Sequence, residues 1–488
     1  MKKLLKLFSA AFVFAVALFS NMHAQTYNKP LSIQALNHTT SSSAISRSLG
    51  GLILSSQNDV TTMFSNPAAL QTLDGIQFSI GAISESKMNE QKQRWYSLDW
   101  MSMFDLFMEG KTADLRDPVI DPIRVPNPTY QDSVQRNGRD PNWSKKKNQF
   151  IPTQIFAAVP FEISGIKFTA GIGFTEYANV NYYYQNKNTF SRDLDYITLP
   201  LSTNPIPVSA YWRGETRSRD GSIYGYGFAL ASEVAENISV GLSGTYFSGT
   251  LDDEESREGY GRLDFFAKDF RYTENPYSIT WKGTSEIRGL DLTFSAIYRT
   301  KKIVFGFTIK PPTNIDRDFT TTGDSSKGTN TIALPQVKGS DKISLPLSGS
   351  IGLGINLRTN VFLGAEYEYK PYGMAEYKNK DGRITKPWLN CSNFHFGVEY
   401  LPIDFISVRI GYQTKAEVFE QQGNALYGDP VAYTVYSTGV GIRLLENIQF
   451  NLGYEYLNMH YEDNWNLNTN VNRDVRNTFF GSISYTIK

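Results

Sequence analysis

Past Asp74 the chain repeats one pattern, a large apolar residue followed by a small or polar one, over stretches of about ten residues. That period of two belongs to a strand whose faces meet different surroundings. Ile166, Phe168, Ala170, Ile172 and Phe174 alternate with Lys167, Thr169, Gly171, Gly173 and Thr175. Ile238, Val240, Leu242 and Tyr246 likewise alternate with Ser239, Gly241, Ser243 and Thr245, and Ile483, Tyr485 and Ile487 interleave with Ser482, Ser484 and Thr486 at the end. Helical periodicity is nearly absent. Fourteen such segments are predicted, at 76–83, 151–159, 165–176, 222–232, 237–248, 288–299, 302–310, 344–356, 361–370, 393–401, 404–414, 433–444, 447–458 and 477–487.

The links between them alternate in length. Short ones (160–164, 233–236, 300–301, 357–360, 402–403, 445–446) separate long ones (84–150, 177–221, 249–287, 311–343, 371–392, 415–432, 459–476). Turns on one side and loops on the other, with strands near the roughly 9 to 11 residues that cross hydrocarbon, predict an all-β fold: a 14-stranded antiparallel transmembrane β-barrel. Closure follows because lipid offers no hydrogen bonds to a bare strand edge. Tyr177, Tyr246, Tyr298, Tyr369, Tyr400, Tyr412 and Tyr456 are expected in interfacial girdles. Lys167, Asp291, Arg299, Glu366, Glu368, Glu399, Arg409, Arg443 and Glu455 are expected to face the lumen, as structural charges.

Composition changes the picture in three places. Mean hydropathy is −0.34, and no stretch after the start approaches the roughly 18 to 20 apolar residues of a membrane helix. The single Cys391 excludes a disulfide scaffold and paired-cysteine zinc sites. Lys2, Lys3 and Lys6 ahead of the apolar stretch Leu7 to Phe19 read as a secretory signal ending at Ala24. Lys+Arg 48 equals Asp+Glu 48, and removing the leader lysines leaves acids in slight excess, so no nucleic-acid partner is suggested. The organisation read from this is a signal at 1–24, an N-terminal hatch or plug at 25–74 and the barrel at 75–488. In the hatch, Asp59 is placed to cap a turn through Val60 to Ser65, and Asn66 with Pro67 reads as N-cap followed by the first helical position.

The run Ser41 to Gly51, containing Arg47 and Gly50-Gly51, and the run Asn58 to Leu70, containing Asn66-Pro67-Ala68, resemble the hatch of the FadL and TodX (OmpP1) type outer-membrane transporters for long-chain fatty acids and hydrophobic compounds. Leu345 to Gly354 fits the same architecture, and only Asn66, Pro67 and Ala68 carry over residue by residue. The resemblance implies a hatch occluding the lumen, capture of an apolar ligand among the extracellular loops, and sideways release through the wall. It also implies a monomer in the outer membrane of a Gram-negative bacterium, surrounded by lipid and lipopolysaccharide and inserted by the barrel-assembly machinery. The chain ends in Ile487-Lys488, departing from the terminal aromatic of such barrels.

Trp100, Met103, Phe104, Phe107 and Met108 fall on one face of a helix in the first long loop, with Asp99 as cap and Gly110 as stop, and are the candidate ligand-capture site. Catalysis is not expected. His38, His395 and His460 form no pair with metal-ligand spacing, His395 alternates with Phe394 and Phe396 and so faces the lumen, and no cofactor is implied. Asp252 to Glu255 reads as a solvated loop rather than a calcium site. Two function classes follow: passive transport of hydrophobic small molecules, such as long-chain fatty acids or aromatic hydrocarbons, and a non-transport role as a docking or scaffold subunit of an outer-membrane secretion or assembly complex.

Overall fold

The computed structural model of the 488-residue chain describes residues 43–54, 58–95, 142–190, 208–266, 270–386, 388–417, 431–465 and 468–488. Its strands are β1 (Ile76–Trp95), β2 (Trp143–Ile163), β3 (Ile166–Asn179), β4 (Tyr182–Phe190), β5 (Val208–Ala235), β6 (Ile238–Phe265) and β7 (Phe270–Arg299). They continue with β8 (Ile303–Lys310), β9 (Thr313–Lys327), β10 (Asn330–Leu345), β11 (Ser348–Arg358), β12 (Val361–Lys370), β13 (Glu376–Lys378) and β14 (Ile384–Thr385). The last are β15 (Cys391–Ile403), β16 (Ile406–Glu417), β17 (Val431–Leu445), β18 (Ile448–Trp465) and β19 (Asn468–Ile487). Every ladder is antiparallel, and β1 pairs with β19 from Ile76↔Ile487 to Trp95↔Asn468, so the sheet closes on itself. The result is the expected closed 14-stranded antiparallel barrel, in which each predicted segment meets one barrel strand.

Alternation sorts the side chains as the period requires. On β8, Ile303, Phe305, Phe307 and Ile309 point outward while Val304 and Thr308 are buried in the lumen. Exposed Phe228, Leu230, Leu242, Leu290, Phe294, Ile351, Phe396, Ile410 and Leu452 continue this apolar belt around the cylinder. Such a band is stable against lipid and unstable against water, because each large side chain would otherwise forgo roughly 1.5–3 kcal/mol of transfer free energy. Tyr246, Tyr298, Tyr400 and Tyr412 stand outward in it as expected. Tyr177 does not: it faces inward, stacks on Phe247 at 4.4 Å and donates to Asp291 Oδ2 at 3.2 Å.

The main departure lies at the loop end. Residues 249–287, expected as a loop, are strand on both arms of the β6–β7 hairpin, and 311–343 contains the β9–β10 hairpin. β5, β6, β7, β9 and β10 therefore rise as a wall beyond the belt. Strands of 28 to 30 residues span about 90 Å or more when extended at roughly 3.3 Å per residue, three times the hydrocarbon thickness. Asp252, Asp253, Glu254 and Glu255 sit in β6, with Asp252 and Glu254 on its outer face and Asp253 and Glu255 turned inward, so they are not a loop.

Candidate functional site: the hatch and the chamber above it

The hatch folds locally before it meets the wall. A short helix, Ala44–Ser48, starts at Ser43, whose Oγ accepts from Ser46 N at 3.0 Å. Asp59 caps the 3-10 turn Val60–Thr62 as anticipated, accepting from Thr61 N at 3.0 Å and Thr61 Oγ1 at 2.6 Å, and it also holds Ser43 Oγ. Pro67 opens the 3-10 helix Pro67–Thr72, preceded by Asn66 in a non-helical conformation. Asn66 makes no capping bond. Its Nδ2 donates instead to Ile53 O at 2.8 Å, tying the two arms of the hatch together. Ala68 N donates to Ser295 Oγ at 2.8 Å, so this three-residue motif docks the hatch on the wall.

Four further wall residues fix it. Glu366 accepts from Ile53 N at 2.9 Å and Leu54 N at 2.7 Å, and Glu455 accepts from Arg47 Nε at 2.9 Å. His395 Nδ1 meets Gly50 O at 2.8 Å, and Gly50 N donates to Ser437 Oγ at 3.0 Å. Hydrogen bonds to a charged partner contribute about 1.5–3 kcal/mol each, and leaving Glu366 unsatisfied in the lumen would cost more. The wall is also shaped to receive the segment. A Cβ on Gly411 would lie 1.9 Å from Gly50 N, and one on Gly241 would lie 2.3 Å from Ala68 N, so only glycine permits these approaches.

Above the hatch lies a chamber of about 160 Å³, floored by Gly51, Ile53, Phe64 and Ser65. Its walls are charged: Lys370 pairs with Glu368 at 2.9 Å, Lys310 with Asp291 at 2.8 Å, and His395 Nε2 lies 4.0 Å from Glu368. Gly51, Gln413 and Lys415 are shared with a second cavity of about 120 Å³, which reaches Ile151, Glu176 and Asn179. On the loop side the residues after β12 fold inward. Tyr372, Ala375, Tyr377 and Trp388 form an apolar cluster with Ile223, Phe247, Ile287, Ile315, Ile343 and Ala416 from the surrounding strands, against which Tyr177 of the chamber packs. The segment expected as the loop 371–392 is thus a second stopper.

Among the described residues the wall has a seam beside β2. β2 pairs with β3 only from Ile155↔Phe174 to Ile163↔Ile166, and the upper part of β2 has no ladder to β3 or β4 among the described residues. Side chains bridge the gap: Gln149 Oε1 accepts from Asn179 Nδ2 at 3.1 Å and Asn181 Nδ2 at 2.7 Å, and Trp143 Nε1 donates to Gln185 O at 2.8 Å. Lys147 pairs with Asp220 across the same gap.

Of the residues singled out from sequence, Asn66, Pro67 and Ala68 lie together in the hatch, whereas Trp100, Met103, Phe104, Phe107 and Met108 lie outside the described residues, as do the signal segment and His38. Asp291, Glu366, Glu368, Glu399, Arg409 and Glu455 face the interior as expected, while Lys167 stands at the turn-end rim beside Glu233. Sequence reasoning missed Tyr177, Lys310, Lys370 and Lys415. Their inward parity was readable for all four: Tyr177 continues the inward series Gly171, Gly173 and Thr175, and its expected place in an outward girdle ran against that count.

The sequence matches the family described as BamG over residues 129–463, well over half its length. The chain belongs to the BamG family. No curated protein sequence matches it. Among solved structures, a Pseudomonas aeruginosa FadL homologue is similar, with a TM-score of 0.55 at 13% identity, covering 94% of this chain and 100% of that one. The P. putida toluene transporter TodX gives a TM-score of 0.55 at 12% identity over 93% of this chain and 99% of that one. At such identity the likeness is one of fold, so the resemblance to the FadL and TodX type holds for architecture, and the family is BamG. This BamG chain is an outer-membrane-type β-barrel, and several of the solved structures similar to it are described as hydrocarbon transporters or channels. Short turns and hatch then face the periplasm and the wall faces outside.

Proposed function

We propose that the protein is a docking subunit of an outer-membrane assembly complex in a Gram-negative envelope, in association with the barrel-assembly machinery. The observation that carries this reading is the filling of the lumen from both ends. The hatch below and the Tyr372–Trp388 cluster above leave a chamber of about 160 Å³ with Lys310, Glu368, Lys370 and Asp291 in its walls, smaller than the 300–1,000 Å³ of ordinary ligand pockets. The wall adds a large polar surface beyond the membrane, a surface for partners rather than for lipid. The prefix in the family's name supports the same reading. Affinity purification of the tagged full-length chain from gently solubilised membranes is expected to recover it with barrel-assembly subunits at fixed stoichiometry. Recovery as a lone barrel would sink the reading.

The seam favours a second reading, passive transport of hydrophobic small molecules such as long-chain fatty acids or aromatic hydrocarbons. The two cavities lead from the chamber toward Ile151 and Asn179, where side chains rather than a backbone ladder close the wall. The structural neighbours support it at the level of fold. Mass spectrometry of lipids extracted from the purified barrel would find a stoichiometric apolar ligand if this reading holds, and only bulk membrane lipid if it does not.

A further inference from the structure

A vestibule of about 800 Å³, larger than the chamber, lies on the periplasmic side of the hatch. Ile45 and Leu49 of the hatch form part of its lining, and the short turns after β7, β11, β15 and β17 form its rim. Five cations line it: Arg409, and nearer the rim Lys301, Lys302, Arg358 and Arg443. None of the four at the rim has an ion-pair partner among the described residues, whereas Arg409 is taken by Glu399. Asp74 and Asp404 are the remaining carboxylates of the lining, so the vestibule keeps an excess of positive charge over its apolar floor. Leu357 and Phe405 also line it and are 59% and 52% exposed.

We propose that this vestibule seats an acidic, apolar-tipped peptide segment of a periplasmic partner, an inference that rests on the docking reading above. Charge complementarity selects the sign of the segment. Concavity selects a peptide: the cations line a bowl whose floor includes Ile45 and Leu49 of the hatch, a shape that can enclose an extended segment. Exposed Leu357 and Phe405 give an apolar side chain somewhere to bury, as anchor residues do at the centre of an interface.

The test places a photo-crosslinking p-benzoylphenylalanine at Leu357 of the full-length chain in native membranes, with the same group at Thr284, on the outer face of the wall, as control. A Leu357-specific adduct is expected whose crosslinked peptide, read by mass spectrometry, is net acidic. It should fall by about tenfold in the triple variant Lys301→Glu, Lys302→Glu, Arg358→Glu, scored on heat-modifiable and hence assembled barrel. If that variant does not assemble, Arg358→Gln alone is expected to lower the yield by about threefold. No adduct above the control, a neutral or basic peptide, an adduct to phospholipid alone, or a yield indifferent to charge would each overturn the inference. When the tagged chain still brings down its complex but Leu357 gives no acidic adduct, the vestibule proposal falls and docking stands; recovery as a lone barrel removes both.

Discussion

β5, β6 and β7 each pass through two regions with the same backbone and opposite surfaces. Below, β6 shows Ile238, Leu242 and Tyr246 outward and Ser239, Gly241, Ser243 and Thr245 inward. Above, the same strand shows Thr250, Asp252 and Glu254 outward, while Phe247 and Leu251 are buried within. The ladder does not change at the crossing: β6 and β7 stay in register from Ile238↔Tyr298 to Gly259↔Tyr277. Hydrogen bonding therefore sets the length of the sheet, and the medium outside decides which face carries the large apolar residues. Where lipid ends, the apolar side chains move inside and the barrel acquires a core of the soluble kind.

The sharpest way to break this contrast is to damage the core of the wall. Arg317 is 1% exposed, donates from Nε to Asp341 Oδ1 at 2.9 Å and makes a second bond to the other carboxylate oxygen, which also accepts from Tyr377 OH at 2.8 Å. Replacing Arg317 by leucine strands Asp341 as a buried charge, at a cost of about 3–5 kcal/mol. Because the belt closes through separate ladders, the expected result is protease cleavage in β9 and β10 with heat-modifiable mobility of the barrel retained. Loss of the whole barrel would mean that the two regions fold as one.

The next largest effect compares one substitution at two heights. Phe228→Arg, outward in the belt, is expected to destabilise the barrel by about 2–4 kcal/mol in lipid unfolding titrations. Thr250→Arg, outward in the wall, should fall within about 0.5 kcal/mol of wild type. Equal costs at both sites would erase the boundary between belt and wall.

The belt was legible in the sequence because lipid forces contrast between successive residues, as in Ile303 to Ile309. The wall was not. From Asp252 to Glu255 both faces carry acids, and a period of two vanishes when its two phases have the same polarity, although backbone pairing between strands needs no such contrast. The hatch was legible through local chemistry, since Asp59 and Pro67 act within a few residues. The stopper at Tyr372 to Trp388 was not, because nothing nearby announces that Trp388 and Tyr377 meet Phe247 and Ile287, far away in sequence.

The smallest effect lies in the titration of the wall's interior. Burial pushes the Glu255 carboxyl up, and Arg217 and Arg257, at 3.8 and 3.9 Å, pull it down without restoring the ordinary range, while Glu215 adds to the rise. A carboxyl raised on folding binds its proton more tightly in the folded wall than in the unfolded chain. Its contribution is therefore fully present below the ordinary carboxylate range and is lost as pH rises through the raised value. Protease resistance of the β5–β6 hairpin should accordingly decline across that window, and Glu255→Gln should flatten this part of the profile while leaving belt unfolding unchanged. A decline of the same size in the glutamine variant would assign the pH dependence to another group and leave the wall's interior electrostatically indifferent at this position.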